Sequence, residues 1–268
     1  MMNDGKYYDE FFTKHAEFFQ DDNPYKPNPR RQDIGGPISL GYLLGTTIEM
    51  GLFPEELNQH FLIFGRSGAG KTNWIRVIFQ QLYNVVPIWF FDYKRDYRHF
   101  LQYAKNLYVI RWENLRFNPL RPPPGTDPKK WIMTFSDVFC LSFGLMAASK
   151  SLLVEILYEL YELYGVFEGS DTYPSMITLH EMLDRKSRFK GLTYDERGYI
   201  ARTKNKTLSS AILLRDVFDC DQGFHLEELL KKNVVFELDG LTDELQSFIV
   251  NSILVWIFTY RLEHGERG

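Results

Sequence analysis

The sequence predicts an α/β protein with a mainly parallel sheet, crossover helices and a helical insertion. Three observations predict it. Short apolar runs alternate with helical patterns along most of the chain, as strand–helix–strand units do. A glycine-rich loop at residues 65–72 stands between one such run and one amphipathic pattern. Between 121 and 232 the pattern turns helical, and a further apolar run, "NVVFELD", follows at 233–239.

Each element has its own local reason. Tyr7 to Phe19 reads as a short helix, and residues 21–37, rich in Pro, Asn, Asp and Gly, as a linker. This gives an N-terminal extension over 1–37 and a main domain over 38–268. "HFLIF" (60–64) has the length and branching of a buried strand. A helix follows with Ile75, Ile78, Phe79 and Leu82 on one face. "VVPIWFFD" (85–92) and "NLYVIR" (106–111) read as the next strands. In the helical insertion, about 121–232, Asp127 and Pro128 form an N-cap with proline in the first helical position. Leu152, Leu153, Ile156, Leu157, Leu160 and Leu163 make a helical stripe that Gly165 stops. Thr178 and Glu181 have capping-box spacing. A last helix is expected from about Thr242 to Arg261.

Composition narrows the function. With 268 residues, 44% hydrophobic and 25% charged, the chain is ordinary for a globular protein. Disordered, collagen-like and coiled-coil classes are excluded. No run approaches the roughly 18–20 apolar residues of a membrane span; the longest pure one is Ile253 to Phe258. No membrane association is expected. The acidic, aromatic start is no secretory signal, and two cysteines, Cys140 and Cys220, make no disulfide scaffold. A cytoplasmic location is the default expectation. The six histidines show no ligand spacing, so no zinc site is expected. Most aromatics fall within apolar patterns and read as core.

Net charge is −4, so no basic footprint covers the whole protein. The charge is uneven, however. Residues 1–22 carry six acids against two lysines. Residues 185–206 carry eight bases (Arg185, Lys186, Arg188, Lys190, Arg197, Arg202, Lys204, Lys206) against Asp195 and Glu196. That stretch is either a solvated helix face or a surface for a polyanion.

The chemistry lies in "GRSGAGKT": Gly65, Arg66, Ser67, Gly68, Ala69, Gly70, Lys71 and Thr72. It fits the spacing G-x-x-x-x-G-K-[ST]. Glycines let the backbone curl round a phosphate, backbone N–H groups form an anion nest, and the following helix adds its positive end. Lys71 would reach the β- and γ-phosphates of ATP and Thr72 would ligate Mg²⁺. Arg66 either touches phosphate or is solvated. Two strand-end acids, Asp92 and Asp239, are candidates to serve the metal, with ordinary strand-end chemistry as the other reading.

Four segments, in order, resemble the HerA branch of the HerA/FtsK superfamily of hexameric DNA-pumping ATPases. They are "PEELNQHFLIFGRSGAGKT" (54–72), "IWFFDYKRDYRHF" (88–100), "RFNPLRPPPG" (116–125) and "LKKNVVFELDGLTDELQSFIVNSILVWIFTYRL" (230–262). The resemblance implies a RecA-like P-loop NTPase core using ATP and Mg²⁺. It implies Asp92 as the active-site acid, in catalysis and at the metal, with Asp239 structural. DNA, a homo-hexamer and a nuclease are the implied partners. The family's Asp-Glu strand would come after the last helix, so the ATPase domain is expected to be incomplete at its C-terminus and weakly active alone. A nucleotide-binding switch without turnover and a small-molecule kinase are the competing readings.

Overall fold

Asn233–Glu237 is buried at all five positions, the mark of a strand covered on both faces. The computed structural model describes residues 35–42, 47–220 and 223–265. The expected helix Tyr7–Phe19, and the linker up to residue 34, lie outside the described residues. The chain divides into two units, residues 1–78 and 79–268. The division falls inside helix α1, Lys71–Leu82.

The first unit holds an antiparallel pair, β1 (Ile38–Tyr42) and β2 (Glu49–Leu52). The sequence pattern does not announce it, because both strands are short and glycine-broken. Close approach demands those glycines: a Cβ on Gly51 would stand 1.9 Å from the carbonyl oxygen of Gly36. The indole N–H of Trp74, on α1, donates to the Leu40 carbonyl at 3.1 Å and ties the helix to β1. The expected strand at 60–64 does not form. Phe61, Leu62, Ile63 and Phe64 form no regular element and are exposed, Leu62 at 84% and Phe64 at 85%. Branched apolar residues favour a strand, but a strand needs a neighbour to complete its ladder, and no described strand pairs with this one.

The second unit holds a parallel sheet in the order β3–β5–β4. These are Trp89–Asp92, Asn233–Glu237 and Leu107–Arg111. The last strand in sequence is thus the central one. β3 is shorter than expected: Pro87 has no N–H for a ladder, and Val85 is 71% exposed. Register aligns Phe90, Val235 and Val109 across the sheet, and Phe91, Phe236 and Ile110 beside them. Side chains alternate between faces along a strand. Val235 therefore packs into a small aromatic cluster with Phe79, Phe100 and Leu107, where the Phe79 and Phe100 rings stack at 4.6 Å. Val234 and Phe236 face the main core on the other side.

Helices supply that main core. They are α2 (Pro128–Phe143), α3 (Ala147–Leu163), α4 (Met176–Ser187), α5 (Tyr194–Leu208), the short α6 (Arg215–Phe218) and α7 (Leu226–Leu229), and α8 (Asp243–Glu263). A π-helical turn, Ser209–Leu213, joins α5 to α6. Asp127 caps α2 through the Lys129 amide with Pro128 next to it, and Gly165, at φ 67°, ends α3, both as expected. The expected capping box is displaced: Ser175 is the N-cap of α4, with Thr178 as its N3 partner and Glu181 inside the helix. α8 begins after a Thr242 cap. It is long and apolar enough to cross a membrane. Its Phe248, Ile249, Ile253 and Trp256 are instead buried in the core; Phe248 meets the rings of Phe139, Phe143 and Phe218.

Burial on α2 pushes the Cys140 thiol up to about 11, with the Asp137 carboxylate adding to the rise and Lys150 opposing it. At pH 8 only about one Cys140 in a thousand would be thiolate, the reactive form. Iodoacetamide should therefore label only Cys220 in the native chain, and both thiols after denaturation. Mass spectrometry of the labelled peptides checks this.

Candidate functional site

The glycine-rich loop builds a cradle in the first unit. Gly68 has φ 78° and Gly70 φ 87°, values side-chain-bearing residues rarely adopt. The Ala69 amide bonds back to the Arg66 carbonyl at 3.2 Å and closes the turn. The Trp74 amide bonds to Gly70 at 2.9 Å and opens α1. No acid occupies the first turn of α1, so nothing offsets the positive helix end. The Lys71 ammonium folds back over the loop, donating to the carbonyls of Gly65 at 2.7 Å and Arg66 at 3.0 Å. Residues 65–70 are exposed, and the Thr72 hydroxyl has no hydrogen-bond partner among the described residues. Beside the loop an open cleft of about 430 Å³ is lined by Leu40, Phe64, Lys71 and Trp74. A curled backbone, a positive helix end, an ammonium and a free hydroxyl fit a polyphosphate with its cation.

Asp92 belongs to the second unit, at the carboxyl end of β3, and is buried at 2% exposure. Its Oδ1 accepts from the amides of Lys94 at 3.0 Å and Asp96 at 3.1 Å. Its Oδ2 accepts from the amide of Tyr97 at 3.0 Å. The carboxylate thus organises the turn that follows the strand. One lone-pair position, on Oδ2, remains, since a carboxylate offers about four.

Sequence reasoning missed what this turn carries. Arg95 takes φ 59°, left-handed without being glycine. Its Nε donates to Asp239 Oδ1 at 2.8 Å. Arg98 grips Glu237 with two bonds, Nε to Oε1 at 2.8 Å and Nη2 to Oε2 at 2.5 Å. The Glu237 side chain is wholly buried while Arg98 is half exposed. Asp92, Glu237 and Arg111 stand in register across the sheet's carboxyl edge, the edge where open parallel sheets place ligands. The legible signal was the run of bases in "DYKRDYR" after a strand-end acid; which acids they meet depends on the strand order.

A parallel α/β sheet and a glycine-rich loop at the head of a helix define the class: a P-loop NTPase fold. The family model for the central domain of the helicase HerA matches residues 38–257, most of the chain, and the chain belongs to that family. Among solved structures, VirB4 of Thermoanaerobacter pseudethanolicus is similar in fold, with a TM-score of 0.59 at 17% identity. That match covers 85% of this chain, which spans 64% of the length of the VirB4 chain. No curated protein matches the sequence.

Asp92→Asn would turn an amide nitrogen toward a donor, leaving one buried N–H unpaired. It should cost about 2 kcal/mol, lowering Tm by roughly 4–8 °C. A melt unchanged within 1 °C would show that the carboxylate does not hold the turn. Arg98→Ala strands a buried carboxylate and should cost about 3 kcal/mol. Adding Glu237→Gln should return part of that loss. A double-mutant cycle with coupling under about 0.5 kcal/mol would count against the pair.

Proposed function

We propose that this chain binds ATP with magnesium and hydrolyses it as the motor domain of a HerA-like DNA translocase or helicase. The observation that supports the reading best is the loop geometry: two left-handed glycines, with the Lys71 ammonium closed over them. Gly65, Arg66, Ser67, Gly68, Ala69 and Gly70 form the cradle. Lys71 meets the terminal phosphates in place of the two carbonyls it now holds. Thr72 offers its hydroxyl to the metal; Asp92, the acid the family resemblance assigns to it, keeps one lone-pair position open. When bound, magnesium would neutralise charge on the phosphates. Family membership supports an oligomer acting on DNA; we extend this to a homo-hexamer, in the cytoplasm, with a nuclease as partner.

One observation favours the second reading, a nucleotide-binding switch without turnover. Asp92 spends its carboxylate on three backbone amides, a structural use rather than a chemical one.

A fluorescent ATP analogue with magnesium should bind the wild-type chain, and Lys71→Ala should weaken binding roughly 10- to 100-fold, the loss of charge-assisted hydrogen bonds. Phosphate release, measured with and without DNA, separates the two readings. DNA-stimulated release that Lys71→Ala abolishes supports the motor. Binding without release supports the switch. An intact fold that binds no nucleotide overturns both.

A further inference from the structure

The eight bases of 185–206 do not act alike. Four are paired with acids at the surface: Lys186 with Glu155 at 2.5 Å, Arg188 and Lys204 with Asp184, and Lys206 with Glu244 at 2.7 Å. The three lysine pairs join α4 to α5, α4 to α3 and α5 to α8, while Arg188 pairs within its own helix end. Asp184 is accordingly held below the usual carboxylate range by the Lys204 hydrogen bond and the Arg188 charge. The other four, Arg185, Lys190, Arg197 and Arg202, make no ion pair among the described residues, and all are exposed. Of the two acids in the stretch, Glu196 is tied to its own helix end through Thr193. Asp195 alone faces solvent beside the free bases.

Two large rings stand among these cations. Tyr194, at the start of α5, is 91% exposed, and Phe189, in the α4–α5 turn, is 68% exposed. The Phe189 ring lies over Gly191, where an added Cβ would stand 2.8 Å from the ring edge. A groove of about 700 Å³ adjoins the turn. Tyr194, Arg197 and Arg202 line one wall, Leu145 and Met146 the other, and Asp195 is its one acid. Tyr194 and Arg202 lie two helical turns apart, so the charged wall runs about 12 Å.

We propose that the α4–α5 turn and this groove bind single-stranded DNA, with Phe189 and Tyr194 stacking on bases and Lys190, Arg197 and Arg202 meeting phosphates. Charge complementarity selects a polyanion. The rings select among polyanions: an acidic peptide offers no flat π-face, and a duplex hides the faces of its bases. Exposed aromatics alternating with unpaired cations suit a strand whose bases are free. The inference deepens the DNA-motor reading by naming a contact surface. Its test uses no nucleotide.

The test is fluorescence anisotropy of a labelled thymidine 20-mer with the full chain, at several salt concentrations. Phe189→Ala and Tyr194→Ala should each weaken binding about tenfold and leave the salt dependence unchanged. Arg197→Ala with Arg202→Ala should also weaken binding. It should make the slope of log K against log salt shallower by about 1.4, two phosphate contacts at about 0.7 each. Lys105→Ala with Lys130→Ala, exposed charges elsewhere, should change neither. Lys71→Ala should keep DNA binding while losing nucleotide, so this surface and the phosphate loop fail or stand separately. Three results would overturn the proposal: no binding of the strand by the wild-type chain, variants that bind as wild type does, or polyglutamate competing equally while Tyr194→Ala has no effect.

Discussion

The fold rests on one strand being buried on both faces. β5 carries Val234 and Phe236 toward the helical core and Val235 toward the aromatic cluster. Its ends are polar and equally buried. Asn233 accepts from the Ile88 amide at 2.9 Å and donates to the Tyr83 carbonyl at 2.7 Å, pinning the approach to β3. Glu237 receives Arg98. A buried polar group without a partner is costly, so these two residues hold β5 in register while the valines and Phe236 supply its burial. Everything placed at the carboxyl edge inherits that register: Asp92 at the end of β3, Arg111 at the end of β4, and the turn between Tyr93 and Arg98.

The two candidate chemical elements are built in opposite ways. The glycine-rich loop is a backbone device. Its shape needs glycine at two left-handed positions, and its side chains contribute one ammonium and one hydroxyl. The turn after β3 is a side-chain device. Asp92 gathers three amides, the chain takes a left-handed step at Arg95, and two arginines fold onto acids from β5 and the residues beyond it. A non-glycine residue at positive φ is uncommon and persists where its surroundings over-determine it. Here the determinants are the amides converging on Asp92 and the Arg95–Asp239 pair.

Charge shows the same division between composition and placement. A net excess of bases in one stretch says nothing about which of them meet water. α4 and α5 pack side by side, and their facing sides bring Lys204 to Asp184, which Arg188 meets from one turn further along its own helix. Of the bases that make no ion pair among the described residues, Lys190 lies at the turn and Arg197 and Arg202 along the groove wall, near the exposed rings of Phe189 and Tyr194.

Local chemistry wrote much of this protein into its sequence. The glycine-rich loop, the Asp127–Pro128 helix start, the Gly165 stop, the start of the last helix near Thr242, and the strands β4 and β5 were legible, because each depends on a few neighbouring residues and on a period of two or 3.6. The tertiary structure decided what depends on distant partners. It left 60–64 unpaired although its composition reads as strand, and placed the last of the described strands at the centre of the sheet. It moved the cap of α4 to Ser175, joined Arg98 to Glu237 across 139 positions of sequence, and sorted eight similar bases into paired and free. Ladders, ion pairs and burial are two-body facts between residues far apart in the chain, and a one-dimensional pattern carries only the residues' readiness to make them.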